Sequence, residues 1–272
     1  MNFILYTLIF FIGALTGSFF TLAIYRIPLK KNITHEHSFC PNCNHKLTFF
    51  DLIPILSYIF LGGKCRYCKQ KIRPRYLILE ILTGLVFVLF AVSININILS
   101  ANISTVIYFI IGLLYFTTLF IISGIDKEKN KIQNSVLVFG YIVQAIYIIY
   151  LYIVEKNINI YRYVIYLIIM LILILIYTFI LRRKQKNEYT IQIILLCILF
   201  LIYTYEVVTI LTIIFTLLTI AIKVLLSKLL EKRHKTVINT EKKQTLIPIG
   251  FYLCISNIIC LLFINFSIFY RG

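Results

Sequence analysis

Apolar runs of bilayer-spanning length, separated by short basic connections, leave this chain few ways to fold. A span takes about 20 apolar residues, and backbone groups in hydrocarbon must bond within their own segment, so such runs are helices. They occupy residues 3–25, about 76–98, 103–125, 134–154 and 161–181. From 189 to 226 the chain is apolar except around Tyr203-Thr204-Tyr205-Glu206, which is too long for one span and reads as a hairpin of two turning near Glu206. A last run covers 247–269. The pattern predicts an all-α polytopic membrane protein with about eight transmembrane helices.

Charge supplies the topology. The chain has 27 Lys and Arg against 10 Asp and Glu, a net +17. The basic residues punctuate the apolar runs and form no arm or face, so the bilayer is the expected partner and nucleic acid is not. Four connections on one side of an eight-span chain hold 24 of the 27, leaving only Lys156, Arg162 and Arg271 for the other. The positive-inside rule then places both termini outside and the connection 26–76 in the cytoplasm. No Lys or Arg precedes Arg26, so the first run lacks the charged start of a cleavable signal peptide. The expected divisions are a first transmembrane helix (1–25), a cytoplasmic segment (26–76) and a membrane domain of about seven helices (77–272).

Two Cys-x-x-Cys pairs lie in that cytoplasmic segment, in Phe39-Cys40-Pro41-Asn42-Cys43 and Lys64-Cys65-Arg66-Tyr67-Cys68, with 21 residues between Cys43 and Cys65. Two such knuckles complete a tetrahedral four-thiolate shell of the kind that holds structural zinc. Disulfides and unliganded thiols are the competing readings. A cytoplasmic location disfavours disulfides. With Cys40, Cys43, Cys65 and Cys68 filling the shell, His35, His37 and His45 are expected to be solvated or to neighbour the ligands.

Acidic residues are few, and only two are aspartates, Asp51 and Asp126. Asp126 follows the third run and Glu188 precedes the sixth, so both lie at one membrane depth, where two carboxylates sharing a water can divide acid and base roles in hydrolysis. Ordinary juxtamembrane charge is the competing reading. Glu80, at the start of the second run, lies at the same level, and a helix-start charge is its competing reading. Asp51 is expected to cap a turn or pack on the knuckles. Glu155 and Glu206 are expected to be solvated in outer turns. Gly17 and Gly84 are read as close-packing positions, and Cys197, Cys254 and Cys260 as lipid-phase side chains.

Several stretches resemble the type IV prepilin peptidases. In the N-terminal third these are Gly17-Ser18-Phe19-Phe20-Thr21-Leu22-Ala23-Ile24-Tyr25-Arg26-Ile27-Pro28, the paired Cys-x-x-Cys, Asp51-Leu52-Ile53-Pro54-Ile55-Leu56-Ser57-Tyr58, Ile72-Arg73-Pro74-Arg75-Tyr76, and Glu80 with Thr83-Gly84. Downstream, Asp126 with Lys131-Ile132-Gln133-Asn134 is similar to the first catalytic aspartate and the segment after it, with Gln133 where proline is usual. Ile247-Pro248-Ile249-Gly250-Phe251 resembles the signature at the last span. The resemblance implies a bacterial plasma-membrane enzyme that cuts the basic leader from type IV prepilins or pseudopilins at the cytoplasmic face. It further implies N-methylation of the new terminus with S-adenosylmethionine. The family's second aspartate stands in Gly-x-Gly-Asp, which is absent here because no glycine occurs between Gly140 and Gly250; the aligned position is Glu188. The expected catalytic pair is therefore Asp126 and Glu188, and the resemblance implies that Glu80 contributes to the methyl-donor or peptide-amine site. The alternative is a peptidase-inactive paralogue that binds or only methylates pilin-like substrates.

Overall fold

The computed structural model describes residues 2–33, 37–97, 102–155, 159–176, 188–234 and 247–269. His35, Glu36, the loop 182–187, the basic stretch 235–246 with Glu241, and Arg271 lie outside the described residues, as do the side chains of Glu155 and Glu231. Among the described residues the regular elements are helical: α1 (Asn2–Arg26), α2 (Leu56–Phe60), α3 (Arg75–Ser93), α4 (Ile103–Lys129), α5 (Asn134–Tyr150), α6 (Ile160–Ile176), α7 (Glu188–Tyr203), α8 (Glu206–His234) and α9 (Ile249–Phe269). Six of them, α1, α3, α4, α5, α8 and α9, are long and apolar enough to cross a membrane, and α6 and α7 contain shorter apolar helices. Together they are the eight apolar runs in their expected order. The short α2 belongs to the connection between α1 and α3.

Local chemistry sets the helix ends that matter for the sites. Pro74 immediately precedes α3 and Pro248 precedes α9, where a missing N–H costs no helical bond. Asn130 ends α4 by taking the left-handed conformation (φ 49°), its N–H returning to the Asp126 carbonyl at 2.8 Å. Lys127 and Lys129 occupy the last turn of α4, where cations suit the helix dipole.

The chain forms two compact units, Met1–Thr117 with Asn265–Gly272, and Thr118–Ile264. In the first, α1 lies against α3 through small residues. A Cβ on Gly13 would sit 2.7 Å from the Gly84 Cα, and one on Gly17 2.9 Å from the Glu80 Cα. Gly13 and Gly17 are spaced as in Gly-xxx-Gly contacts, which let helix backbones gain dispersion contact where lipid offers no hydrophobic drive.

In the second unit α7 is tied to α5. The Tyr141 hydroxyl donates to the Leu195 carbonyl at 2.6 Å and Gln144 Nε2 to the Leu199 carbonyl at 2.8 Å. Between α9 and α8, buried Asn257 Nδ2 donates to Thr212 Oγ1 at 3.2 Å. Glu206 is exposed at the α7–α8 turn, as the sequence reading expects, and is also paired. It opens α8 beside the first turn of α6, where Arg162 Nε pairs with it at 2.9 Å and the Tyr166 hydroxyl bonds it. Arg162 also donates to the Leu201 and Thr204 carbonyls, closing the end of α7. Cys254 is fully buried within the unit, because it lies on the inner face of α9 beside buried Leu253 and Asn257.

The α1–α3 contact gives a direct prediction. Gly13→Ala meets backbone atoms that cannot rotate away, so it should destabilise the protein by about 1–3 kcal/mol. Gly62→Ala, whose new Cβ meets open space, should show only the strain of its positive φ. Thermal unfolding of both variants in detergent checks the contrast.

Candidate active site

In the first unit the four cysteines converge. Their sulfurs all lie within 4.8 Å of one another, and Cys40 Sγ is 3.8 Å from Cys68 Sγ. Zn–S bonds of about 2.3 Å in a tetrahedron put sulfurs about 3.8 Å apart, so the donor set suits zinc in number, type and spacing. The knuckles share one construction. Asn44 N–H bonds the Cys40 carbonyl (2.8 Å) and Cys40 N–H the His45 carbonyl (3.0 Å), while Lys69 and Cys65 repeat this with Cys65 and Gln70 at 3.0 and 2.9 Å. Asn44 and Lys69, each following the second cysteine of its pair, both take positive φ to make the turn. His45 stacks on Tyr67 with ring centroids 3.6 Å apart, clasping one knuckle to the other. Within the cluster the thiols push one another's titrations apart: the Gln70 amide, and then the Asn42 side chain, pull Cys68 down to about 6, while Cys43, against the pull of the His45 amide, is pushed up to about 11 by burial and by its neighbours Cys40 and Cys68.

Asp51 meets both of its sequence expectations. Its Oδ2 accepts from the Thr48 N–H (3.1 Å) and hydroxyl (2.7 Å), while Oδ1 takes the Arg66 Nε at 2.6 Å. It thus caps a 3₁₀ turn, Phe49–Asp51, and ties that turn to the second knuckle. Burial opposes its ionisation, but the Arg66 guanidinium and then the Thr48 donors outweigh it and hold the carboxyl below its ordinary value. Arg26, also buried, donates to the Asn32 and His37 carbonyls and folds the chain after α1 back toward the first knuckle.

Glu80 lies in the second turn of α3, since the helix begins at Arg75, and is only 8% exposed. Its Oε2 accepts the Ile55 N–H at 2.8 Å. Ile55 has φ 64° and ψ −55°, an outlying conformation for a β-branched residue. Such strain costs about 1–3 kcal/mol, and a hydrogen bond to a charged group returns about 1.5–3 kcal/mol. The carboxylate therefore holds the backbone that turns Pro54 into α2. A cavity of about 440 Å³ opens beside it, lined by Ser18, Phe19, Asp51, Tyr58, Tyr76 and Glu80 among others.

In the second unit Asp126 is fully buried in the last turn of α4. Its Oδ2 accepts the Phe251 N–H at 2.8 Å and the Tyr189 hydroxyl at 2.9 Å, and that hydroxyl in turn accepts the Gly250 N–H at 3.2 Å. Oδ1 is buried with no hydrogen-bond partner among the described residues. A Cβ on Gly250 would stand 3.0 Å from Oδ2 and from Ile132 Cδ1, so glycine permits the close approach of α9. Lys127 Nζ lies 4.8 Å from the Phe251 ring centroid. Asn134, in the Ile132-Gln133-Asn134 stretch, accepts from Gln192 of α7 at 2.8 Å. Glu188 is the exposed first residue of α7, and its neighbour Tyr189 is the α7 group that touches Asp126. Sequence reasoning missed Tyr189 and the Phe251 amide. The available signals were an aromatic hydroxyl in the first turn of an apolar run at the depth of Asp126, and a glycine just inside the last span.

The bacterial peptidase A24 N-terminal domain matches residues 11–94, which include most of α1, the four cysteines, Asp51 and Glu80. This similarity to the prepilin peptidases is carried by the N-terminal third of the chain. The prepilin leader peptidase/N-methyltransferase of Myxococcus xanthus (strain DK1622) is 42% identical over 79 residues, 29% of this chain and 24% of the relative. Those of Klebsiella pneumoniae and Bacillus subtilis (strain 168), named alike, are 33% identical over 135 residues and 32% over 133; the matches cover 47% and 49% of this chain, and 54% and 50% of the relatives. The chain thus spans between about a quarter and about half of the length of these relatives. No solved structure matches it.

The Asp51 pairing generates a pH prediction. A depressed carboxyl contributes stability that is present above the unfolded value of about 3.9 and is lost as pH falls through the folded value. Asp51→Asn should therefore speed amide exchange at residues 48–52 at pH 7, and the difference from the unaltered chain should shrink below about pH 4.

Proposed function

We propose that this chain is a prepilin leader peptidase and N-methyltransferase of a bacterial plasma membrane. It cuts the basic leader of type IV prepilins or pseudopilins at the cytoplasmic face and methylates the new terminus. The observation that carries this reading is the buried Asp126, presented at the end of a membrane helix by donors from α7 and α9, in a chain whose residues 11–94 match the bacterial peptidase A24 N-terminal domain. The charge distribution supports a topology with both termini outside and the four-cysteine segment in the cytoplasm.

Asp126 and Glu188 are the proposed pair. One carboxylate takes a proton from water as it adds to the scissile carbonyl, and the other gives a proton to the departing amide nitrogen. The Phe251 amide and Tyr189 hydroxyl fix Asp126 Oδ2, leaving Oδ1 to face the reacting groups. Glu188 opens the helix whose next residue touches Asp126, which supports a place at the same water.

Cys40, Cys43, Cys65 and Cys68 are the proposed zinc ligands, and the closed four-sulfur shell suits a structural ion that organises the segment. S-adenosylmethionine supplies the methyl group when bound. Glu80, a buried carboxylate on a cavity wall, would hold it by facing a positively charged group.

The alternative is a peptidase-inactive paralogue that binds or only methylates pilin-like chains. The absence of Gly-x-Gly-Asp and the exposure of Glu188 favour it. Cleavage of a prepilin in membranes separates the two. The proposal expects the unaltered chain to cut, and Asp126→Asn and Glu188→Gln each to lose about 10²–10⁴-fold in rate. Intact prepilin with the unaltered chain, but cut prepilin with Glu188→Asp, would identify the inactive paralogue.

A further inference from the structure

The four-cysteine segment is tethered to the bilayer at both ends, by α1 leading in and α3 leading out, each of span length. Within it the 3₁₀ turn Phe49–Asp51 packs against α2, and the pair exposes large apolar side chains. Phe49, Phe50, Ile59 and Phe60 range from 61% exposed at Ile59 to 84% at Phe60. Leu56, Ile59 and Phe60 are spaced i, i+3, i+4 and so share one face of α2. Ser57, Tyr58 and Leu61, by contrast, line the cavity. The Phe49 and Phe50 rings meet edge to face at 6.0 Å, extending the apolar surface onto the 3₁₀ turn.

The surrounding charge is one-sided. Residues 26–76 carry ten Lys and Arg against Glu36 and Asp51, and Asp51 is already paired with Arg66. Exposed phenylalanine and aliphatic side chains on a short segment that is rich in lysine and arginine and held at a bilayer surface suit the boundary between anionic headgroups and acyl chains.

We propose that Phe49, Phe50, Ile59 and Phe60 form a lipid anchor, inserted into the headgroup boundary of the leaflet to which α1 and α3 tether the segment. The nearby basic side chains contact anionic headgroups. The tether and the charge favour lipid over a protein partner: the patch is confined to the bilayer surface, and its surroundings attract the charge that surface carries. The anchor would hold one face of α2 in lipid while the other lines the cavity beside Glu80.

The chain contains no Trp, so one introduced Trp is its sole indole fluorophore. Full-length Phe60→Trp, reconstituted in vesicles of phosphatidylcholine and phosphatidylglycerol, should emit toward the blue. It should be quenched more by lipids brominated near the headgroup than by lipids brominated deep in the chains, consistent with insertion of about 5–10 Å. Leu85→Trp, half-exposed midway along α3, should show the opposite order. Phe50→Trp should repeat the Phe60→Trp result independently. If both anchor variants are insensitive to both lipids while Leu85→Trp is quenched, the proposal is overturned. A blue shift appearing only when an apolar prepilin-like helix is added would also overturn it, assigning the patch to peptide.

Discussion

The hydrogen bond from the Phe251 amide to Asp126 reconciles two helix ends that would otherwise oppose the site. Asp126 lies in the last turn of α4, where the helix dipole disfavours a carboxylate by about 0.3–1 kcal/mol, and burial removes water as a partner. The start of α9 supplies the opposite end of a dipole and a free N–H, and Tyr189 of α7 supplies a second donor. Bonds of this kind to a charged group contribute about 1.5–3 kcal/mol each, enough to exceed the dipole penalty. The same contacts fasten α4, α7 and α9 at one level, so the arrangement that tolerates the carboxylate also presents it. Gly250 is the geometric condition, since any side chain there would crowd Oδ2.

Elsewhere the fold meets the same demand with other means. In the second unit Gln144, Asn257 and Arg162 all direct their donors to neighbouring helices, so polar side chains in an apolar environment become cross-helix ties. In the first unit glycines also let α1 meet α3 backbone to backbone, beside a bond from the Tyr6 hydroxyl to the Ile96 carbonyl. The four-cysteine segment is small, and its order comes from repeated knuckle hydrogen bonds, the Asp51 cap and the Glu80 bond to a strained Ile55.

The eight apolar runs and the cysteine cluster were legible because each rests on a short-range rule: span length for the helices, Cys-x-x-Cys spacing for the knuckles. Asp126 was legible through scarcity, being one of two aspartates. What touches it was not. Tyr189 and Phe251 are 63 and 125 residues away in sequence, and nothing in apolar periodicity specifies which helix ends meet. Glu206 is exposed at the α7–α8 turn as expected, but its partner Arg162 is a distant basic residue with no local cue. Glu80 was placed one turn too early because α3 starts at Arg75, and its partner, the amide of Ile55, leaves no side-chain signature.

The central claim is that the cradle around Asp126 receives the scissile bond. It is tested most directly by crosslinking a prepilin that carries a photoreactive group at the cleavage position to the full-length Asp126→Asn variant in membranes, then mapping the adducts by mass spectrometry. Adducts are predicted within 126–134, 188–192 or 249–252. Adducts confined to residues 37–77 would contradict the claim.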